Sequence, residues 1–422
     1  MHKYLVVIVL SLVLVSCGDS PSLQGSAAAT MHKSGKRGVA FSFTRVDDLP
    51  LLSPYISWDY NWGNTATDNA ALWFDNNDMD FCPMCWNGNY SADRIREYVR
   101  AHPKTKYLLA FNEPNLNDQA HMTPKEAAAI WQPVVSLAKE LGLKLVSPAM
   151  NYGTLAGYGD PIKWLDEFFQ QPEVSIDDVD AISIHCYMGS ASAAQGFVEM
   201  FYKYNKPIWL TEFCAWENST SLESQKSYMT SMLNYLEQND KVERYSWFIP
   251  RSSAKVDLHP YMQLLTHDSP AALTELGQIY CLFSSFDKSA WLLSSRFIHA
   301  GEYIGISDGA MTLRPTTDQQ AITLAGSNGL MSTNFREGHS LTYQLSVPEN
   351  TSTITLRYCG YSNTICEVVV DSKTMTHVEM SRNGSTTEWT EASSALSLKK
   401  GQHTIELKII SGSCLFSGFK VE

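Results

Sequence analysis

Two glutamates stand where apolar runs end. Asn112-Glu113-Pro114 closes the segment KYLLAFNEP (106–114), and Glu212 sits near the end of KPIWLTEF (206–213). Placing a polar group behind such a run is costly unless the group lines a cavity, so both carboxyls are read as facing one opening. Two carboxyl groups across a gap can divide the work of cleaving a glycosidic bond. One protonates the leaving oxygen, and the other attacks the anomeric carbon or activates water. That chemistry needs no metal and no organic cofactor. His185 and Tyr187 end the run DAISIHCY (180–187). A histidine in an apolar strand is more often a hydrogen-bonded structural group than a catalyst, and here both residues are read as orienting a carboxylate. Trp62, Trp86, Trp216 and Trp247 stand at or just past strand ends, where indole faces could stack on the C–H faces of sugar rings; Trp73, Trp131, Trp164 and Trp209 are read as core. Cys82-Pro-Met-Cys85 has zinc-like spacing, but no second cysteine or histidine pair accompanies it, so it is read as two cysteines near a strand end.

Those residues must be held by a frame. Eight short β-rich runs occur, at 37–42, 56–62, 79–86, 106–114, 144–151, 180–187, 206–213 and 244–250. Most are continuously apolar, as for parallel strands buried on both faces. Helical spacing fills the gaps. Thr123-Pro-Lys-Glu126 supplies a cap, a first-turn proline and an acidic residue before a helix predicted to run to Gly142. Eight strand–helix units over about 250 residues fit a (β/α)8 TIM barrel, whose sites form at the C-terminal strand ends. A doubly wound open sheet is the rival, but no glycine-rich phosphate loop follows the first run. After a helix over 273–283 the texture becomes short alternating runs such as SLTYQLSV and TSTITLRYC, which predict an antiparallel β-sandwich. The expected division is 37–285 for the α/β domain and 290–422 for the sandwich.

Composition narrows the partners. A formal charge of −12 gives a nucleic-acid surface no electrostatic support, while 11% aromatic residues, with 11 Trp and 20 Tyr, suit a neutral polyhydroxylated ligand. Residues 1–17, MHKYLVVIVLSLVLVSC, place one lysine before a short apolar stretch and a Ser-Cys end. The stretch is too short to span a bilayer and fits an export signal. Its ending resembles a bacterial lipobox, so Cys17 is expected to be lipidated, residues 18–36 to form a flexible tether, and the chain to be an extracytoplasmic, membrane-anchored lipoprotein and a monomer. Eight cysteines then remain. Cys359 and Cys366, flanking GYSNTI, are the expected disulfide, across a hairpin turn.

The stretches RGVAFSF, YNWG, DFCPMCW, LLAFNEPNLNDQAHMTPKEAAAIW, SIHCY, KPIWLTEF and RYSWF, with the closing LTELGQIY, resemble glycoside hydrolase family 128, the endo-β-1,3-glucanases, within the clan of retaining barrel glycosidases. The resemblance spans 37–283. It implies Glu113 as acid/base, Glu212 as nucleophile, and Asn112 on the 2-hydroxyl of the reacting sugar. It places His185 and Tyr187 beside the carboxylates and Trp62, Trp216 and Trp247 along the sugar subsites. Cys186 stands where the family has an aromatic and Asn115 where aspartate is frequent. Retention predicts carboxyl groups about 5–5.5 Å apart, with Glu113 kept protonated by the charge of Glu212. The expected partner is a β-glucan, cleaved internally at β-1,3 bonds. The same chemistry on a β-1,4-glucan or mannan, or a non-catalytic glycan-binding surface lipoprotein, are the alternatives. FIHAGEYIGISDG, Trp389 and the closing LSLKKGQHTIELKIISGSCLFSGFKVE resemble carbohydrate-binding modules of the family 6 type, with Tyr358 and Tyr361 as candidate loop aromatics.

Overall fold

The computed structural model describes residues 33–216, 221–252, 261–307 and 311–422. The leader, Cys17 and the tether as far as residue 32 lie outside the described residues. Eight parallel strands form the first region: β1 (Arg37–Ala40), β2 (Trp58–Tyr60), β3 (Asp80–Phe81), β4 (Tyr107–Leu109), β5 (Lys144–Val146), β6 (Ile182–Cys186), β7 (Ile208–Phe213) and β8 (Val242–Trp247). Six pair in the order β3-β2-β1-β8-β7-β6, and β4 pairs with β5. Single parallel bridges Met84–Leu109 and Val146–Ala181 link that pair to both edges of the six. The strands are short and almost wholly buried, which is why their runs carry no polar alternation.

The helices of this region are α1 (Leu49–Leu52), α2 (Asp68–Asn76), α3 (Ala92–Ala101), α4 (Pro124–Ala129), α5 (Trp131–Leu141), α6 (Pro161–Phe169), α7 (Ala191–Met200), α8 (Leu222–Gln238) and α9 (Glu275–Leu282). The cap read from Thr123 is present: its side chain accepts from the Glu126 N–H, and the Glu126 carboxylate accepts from the Thr123 N–H at 2.8 Å. The single helix expected from 124 to Gly142 is broken at Ile130. Pro133 explains the break, because it has no N–H to offer the carbonyl four residues back and its ring crowds that turn. Gly142 ends α5 in the left-handed region at φ 66°, which an achiral residue adopts without cost.

Two apolar clusters follow from strand alternation. Trp58, Tyr60, Met84, Leu109 and Trp209 belong to an inner one, while most apolar side chains of strands and helices build the outer. At the N-terminal strand ends, Arg244 lies over the rings of Tyr107 (4.5 Å) and Trp209 (4.8 Å) and pairs with Asp80. Residues 33–36, the described end of the predicted tether, contact the α/β region: Lys33 donates to the Asp78 carbonyl at 2.9 Å, Ser34 to Glu237 at 2.9 Å, and Lys36 to the Asn239 carbonyl at 2.9 Å.

Beyond α9 the chain forms two antiparallel sheets, one ordered β12-β13-β20-β15-β18 and the other β11-β14-β19-β16-β17. Their members are β11 (Gly305–Ile306), β12 (Leu313–Pro315), β13 (Leu330–Arg336), β14 (Ser340–Val347), β15 (Thr351–Cys359), β16 (Thr364–Val370), β17 (Lys373–Met380), β18 (Thr390–Leu398), β19 (Gly401–Ser411) and β20 (Ser413–Val421). Two short strands, β9 (Leu292–Leu293) and β10 (Ile298–His299), add to β14 and β20. Alternate residues of β14 are buried, as its sequence pattern requires. Cys359 and Cys366 do not form the expected disulfide. Cys359 ends β15 and Cys366 lies near the start of β16, and these strands belong to different sheets, so the connection between them passes from one sheet to the other instead of closing a hairpin. All eight cysteines among the described residues are buried free thiols. Among the described residues no helix is long and apolar enough to cross a membrane.

Candidate active site

A cleft of about 500 Å³ opens at the C-terminal strand ends, lined by both glutamates together with Asn112, Asn151, Tyr187, Trp62, Trp86, Trp216 and Phe248. Its floor is continuous with the inner cluster, against which Trp62, Trp86 and Phe248 pack.

Glu113 follows β4 in a tightly bound turn. The Asn112 N–H donates to the Trp86 carbonyl at 2.9 Å, and its carbonyl accepts from the Ala120 N–H at 3.1 Å. Glu113 itself has φ 42°. A non-glycine residue held there carries roughly 1–3 kcal/mol of strain, which the surrounding bonds must over-determine. Glu212 is carried by the fully buried β7, in register with His185 of β6.

Three donors converge on Glu212. The Tyr60 hydroxyl and the Trp62 indole N–H both reach Oε1 at 2.7 Å, and the Tyr187 hydroxyl donates to Oε2. Burial first, and then the charge of Glu212, push both phenols well above their usual range, so they remain donors. Glu113 uses one oxygen for the protein. Its Oε1 accepts from Asn151 Nδ2 at 3.0 Å and meets His185 Nδ1 at 2.9 Å. Its Oε2 meets no partner among the described residues and is free for a substrate oxygen.

His185 ties the pair together. It is fully buried, and its Nδ1 also lies 3.4 Å from Glu212 Oε2. Burial alone would lower its pKa, but the charges of Glu212 and Glu113 outweigh burial and hold the imidazole above its usual value. For Glu113 burial would raise the pKa; the His185 charge, with hydrogen bonds from His185 and Asn151, outweighs it and holds the carboxyl below its usual value. These directions run against the expectation that the charge of Glu212 keeps Glu113 protonated, because the contact with His185 favours the charged form of each partner.

Glu113, His185 and Glu212 each bring one atom within 4.8 Å of the others, a spacing that a metal ion could use. The donors are set against that. Both oxygens of Glu212 already receive hydrogens from neutral groups, and His185 Nδ1 is spent on Glu113. A cation would face those hydrogens.

Of the residues singled out from sequence, Glu113, Glu212, Asn112, Tyr187, Trp62 and Trp216 all line the cleft. Asn112 donates to Gln119 Oε1 at 3.1 Å, and its own Oδ1 is buried with no partner among the described residues. His185 lies behind the carboxylates, out of reach of a substrate. Trp247 does not join the cleft. It is fully buried, donates its indole N–H to the Met262 carbonyl at 2.7 Å and packs on Phe213 and Tyr280. Successive strand side chains face opposite ways, so Trp247 turns to the outer cluster and Phe248 takes the cleft wall. Tyr60, Asn151 and Phe248 were missed. Tyr60 lies inside the run ISWDYNW, where its ring reads as core; only a partner on another strand reveals its hydroxyl. In the antiparallel region Tyr358 is buried, its hydroxyl bound to the Ser381 carbonyl at 2.9 Å, while Tyr361 is exposed.

Two glutamates facing each other at the C-terminal ends of parallel strands, in a cleft walled by indole rings, define a glycoside hydrolase. Residues 38–280 match the family described as glycosyl hydrolase catalytic core, and the chain belongs to that family. Two of the solved structures similar to it are family 128 enzymes. A family 128 (subgroup II) endo-β-1,3-glucanase from Pseudomonas viridiflava is 38% identical with a TM-score of 0.54, and covers 59% of this chain and 98% of its own. One from Sorangium cellulosum is 35% identical with a TM-score of 0.53, covering 58% of this chain and 97% of its own. Alkali-sensitive linkage protein 1 of Schizosaccharomyces pombe is 28% identical over 267 residues, 58% of this chain; the chain spans 44% of that relative.

Proposed function

We propose that the protein is a retaining endo-β-1,3-glucanase. The observation that carries this reading is the close approach of two carboxylates, with oxygens within 4.8 Å of each other around one buried histidine. A retaining pair stands about 5–5.5 Å apart, whereas an inverting pair needs roughly 6.5–9.5 Å to admit water. The linkage is supported by the two subgroup II endo-β-1,3-glucanases that the chain resembles. The bridges at Met84–Leu109 and Val146–Ala181 support closure of the eight strands into a (β/α)8 barrel. Residues 37–285 would then be the catalytic domain, and 290–422 a β-sandwich of the carbohydrate-binding type.

In this mechanism Glu212, held by three donors, attacks the anomeric carbon. The proton shared by Glu113 and His185 passes to the leaving oxygen through Glu113. A glycosyl–Glu212 ester results. Glu113, now a carboxylate, takes a proton from water as the water attacks the anomeric carbon and the bond from that carbon to the Glu212 oxygen breaks, which restores the β-configuration and returns Glu212 as a carboxylate. Asn112 contacts the 2-hydroxyl. In Glu212→Gln, turnover of laminarin is expected to vanish while oligosaccharide binding persists. NMR of the first products from the native enzyme is expected to show the β-anomer. First-formed α-anomer, or native-level turnover by Glu212→Gln, overturns the assignment. Cellulose and mannan digested faster than laminarin or curdlan would move the reading to another β-glycan.

Cys17 is proposed to carry the lipid that keeps the enzyme on a membrane outside the cytoplasm. Labelling of cells with a radioactive fatty acid is expected to mark the native chain and not Cys17→Ala; equal labelling would reject the anchor.

A further inference from the structure

A second cavity, of about 600 Å³, lies between the α/β region and the antiparallel region, walled by α7 and α8 and by Ile306 and Ser307 at β11. That volume lies within the usual range for small-molecule sites. Its lining carries no charged side chain, in a chain with 44 acidic and 32 basic residues. What it presents instead are amides and hydroxyls around one aromatic ring. This lining offers no cationic partner to a phosphate or other anion, and it matches a neutral, polyhydroxylated ligand.

The polar groups are poised, and part of their capacity is unspent. The Gln195 and Ser231 side chains make no hydrogen bond to any described residue. Asn234 accepts the Tyr303 hydroxyl through Oδ1 at 3.0 Å, which turns its two amide hydrogens away from that bond. Tyr235 is held by a hydroxyl contact with Tyr202 at 2.9 Å, and Tyr202 accepts from Asn239 Nδ2 at 2.6 Å. A ring fixed in this way can receive a sugar face without first losing rotamer freedom. Both regions build the walls. Besides Tyr303, Arg314 of β12 reaches Glu223 of α8 at 2.9 Å. The upper end begins at Ala191, four residues after the cleft residue Tyr187.

We propose that this groove is a second, non-catalytic site for a neutral oligosaccharide, one that holds a distant stretch of the polymer whose cleavage occurs in the cleft. The identity of the sugar, a β-1,3-glucan, rests on the function proposed above; the groove's neutrality and donors do not. The test uses the full chain carrying Glu212→Gln, titrated calorimetrically with laminarihexaose. Two binding events per chain are expected. Adding Gln195→Ala and Gln238→Ala should weaken one of them about tenfold, the effect of losing one good hydrogen bond, and leave the other in place. A single event that the double substitution does not alter overturns the proposal. If the native enzyme cuts no β-1,3-glucan, the cleft reading alone fails. The groove is then judged on cellohexaose and mannohexaose by the same titration, where binding lost in the double variant supports it and binding to neither sugar rejects it.

Discussion

A carboxyl group that must give up a proton and then take one back needs a neighbour that moves charge with it. In the proposed mechanism that carboxyl is Glu113 and the neighbour is His185. Its imidazole is held above the usual value of 6.5, and Glu113 below the usual value of 4.5. The signs follow from linkage. The raised His185 contributes stability that is complete below 6.5 and is lost as pH rises through its folded value. The lowered Glu113 contributes stability that is present above 4.5 and is lost as pH falls through its folded value. The charged pair therefore stabilises the site between a point below 4.5 and a point above 6.5. Activity is expected to fall on the alkaline side when the shared proton leaves. In His185→Gln, kcat should drop roughly 10–100-fold, part of the ~10²–10⁴ that general acid–base catalysis contributes. KM should change little, and the alkaline limb should move to lower pH, because Glu113 then carries the proton without an imidazole beside it. A pH–rate profile with an unmoved limb would show that His185 only fills space. The two glutamates were legible as polar residues closing apolar runs. The pairing of Glu113 with Asn151 was not, because a hydrogen bond across 38 residues leaves no local pattern.

The elements that aim these side chains are loops braced against strand ends, and the tightest brace is around Gly153. A Cβ there would stand 2.3 Å from the Tyr158 carbonyl oxygen and 2.6 Å from Asn115 Nδ2. Asn115 is fully buried and donates to the Asn151 carbonyl at 2.6 Å, and Asn151 in turn donates to Glu113. Gly153→Ala should push Asn115 aside and displace Asn151 with it. Since a shift of about 1 Å in a reacting group can cost 10²-fold, kcat should fall by up to about 10²-fold, and because the Cβ also meets the Tyr158 and Asn115 carbonyl oxygens at 2.3 and 2.5 Å, Tm should fall as well. Steady-state kinetics beside a thermal melt decides it; unchanged kcat would mean that the brace does not reach Glu113. Strand positions were readable because burial on both faces leaves continuous apolar runs. The side on which each end residue lands was not, and Trp247 and Phe248 show why: one residue's advance along the strand exchanges the outer cluster for the cleft.

At the scale of the molecule, the α/β region is joined to the antiparallel sheets by the segment after α9, and that segment is held by one buried cation. Arg37, at the start of β1, donates to the Tyr280 carbonyl at 2.8 Å, the Phe283 carbonyl at 3.1 Å and the Ser284 carbonyl at 3.0 Å, and pairs with Glu237 of α8 at 2.6 Å. The Tyr245 hydroxyl shares Glu237 Oε1, at 2.5 Å. Ser284 then donates to the Tyr303 carbonyl, and the Tyr303 hydroxyl reaches α8 again at Asn234. First strand, last helix and second region therefore meet at one guanidinium. The sequence shows RGVAFS only as a first strand with a basic start. Nothing local marks that arginine as interior, since its partners lie 200 to 247 residues away. Removing one member of a buried ion pair leaves the other charge uncompensated, at roughly 3–5 kcal/mol, and here four carbonyls, of Tyr280, Cys281, Phe283 and Ser284, also lose their donor. Arg37→Ala should therefore unfold at markedly lower denaturant concentration. Arg37→Lys should recover only part of the loss, because an ammonium cannot reproduce the planar fork that spans Glu237 and the carbonyls. Glu237→Gln, which keeps the shape and removes the charge, should fall between them. If Arg37→Ala unfolded within about 0.5 kcal/mol of the native chain, the range ordinary for an exposed position, the junction would have to be held by the apolar contacts around Tyr303 and Phe283 instead.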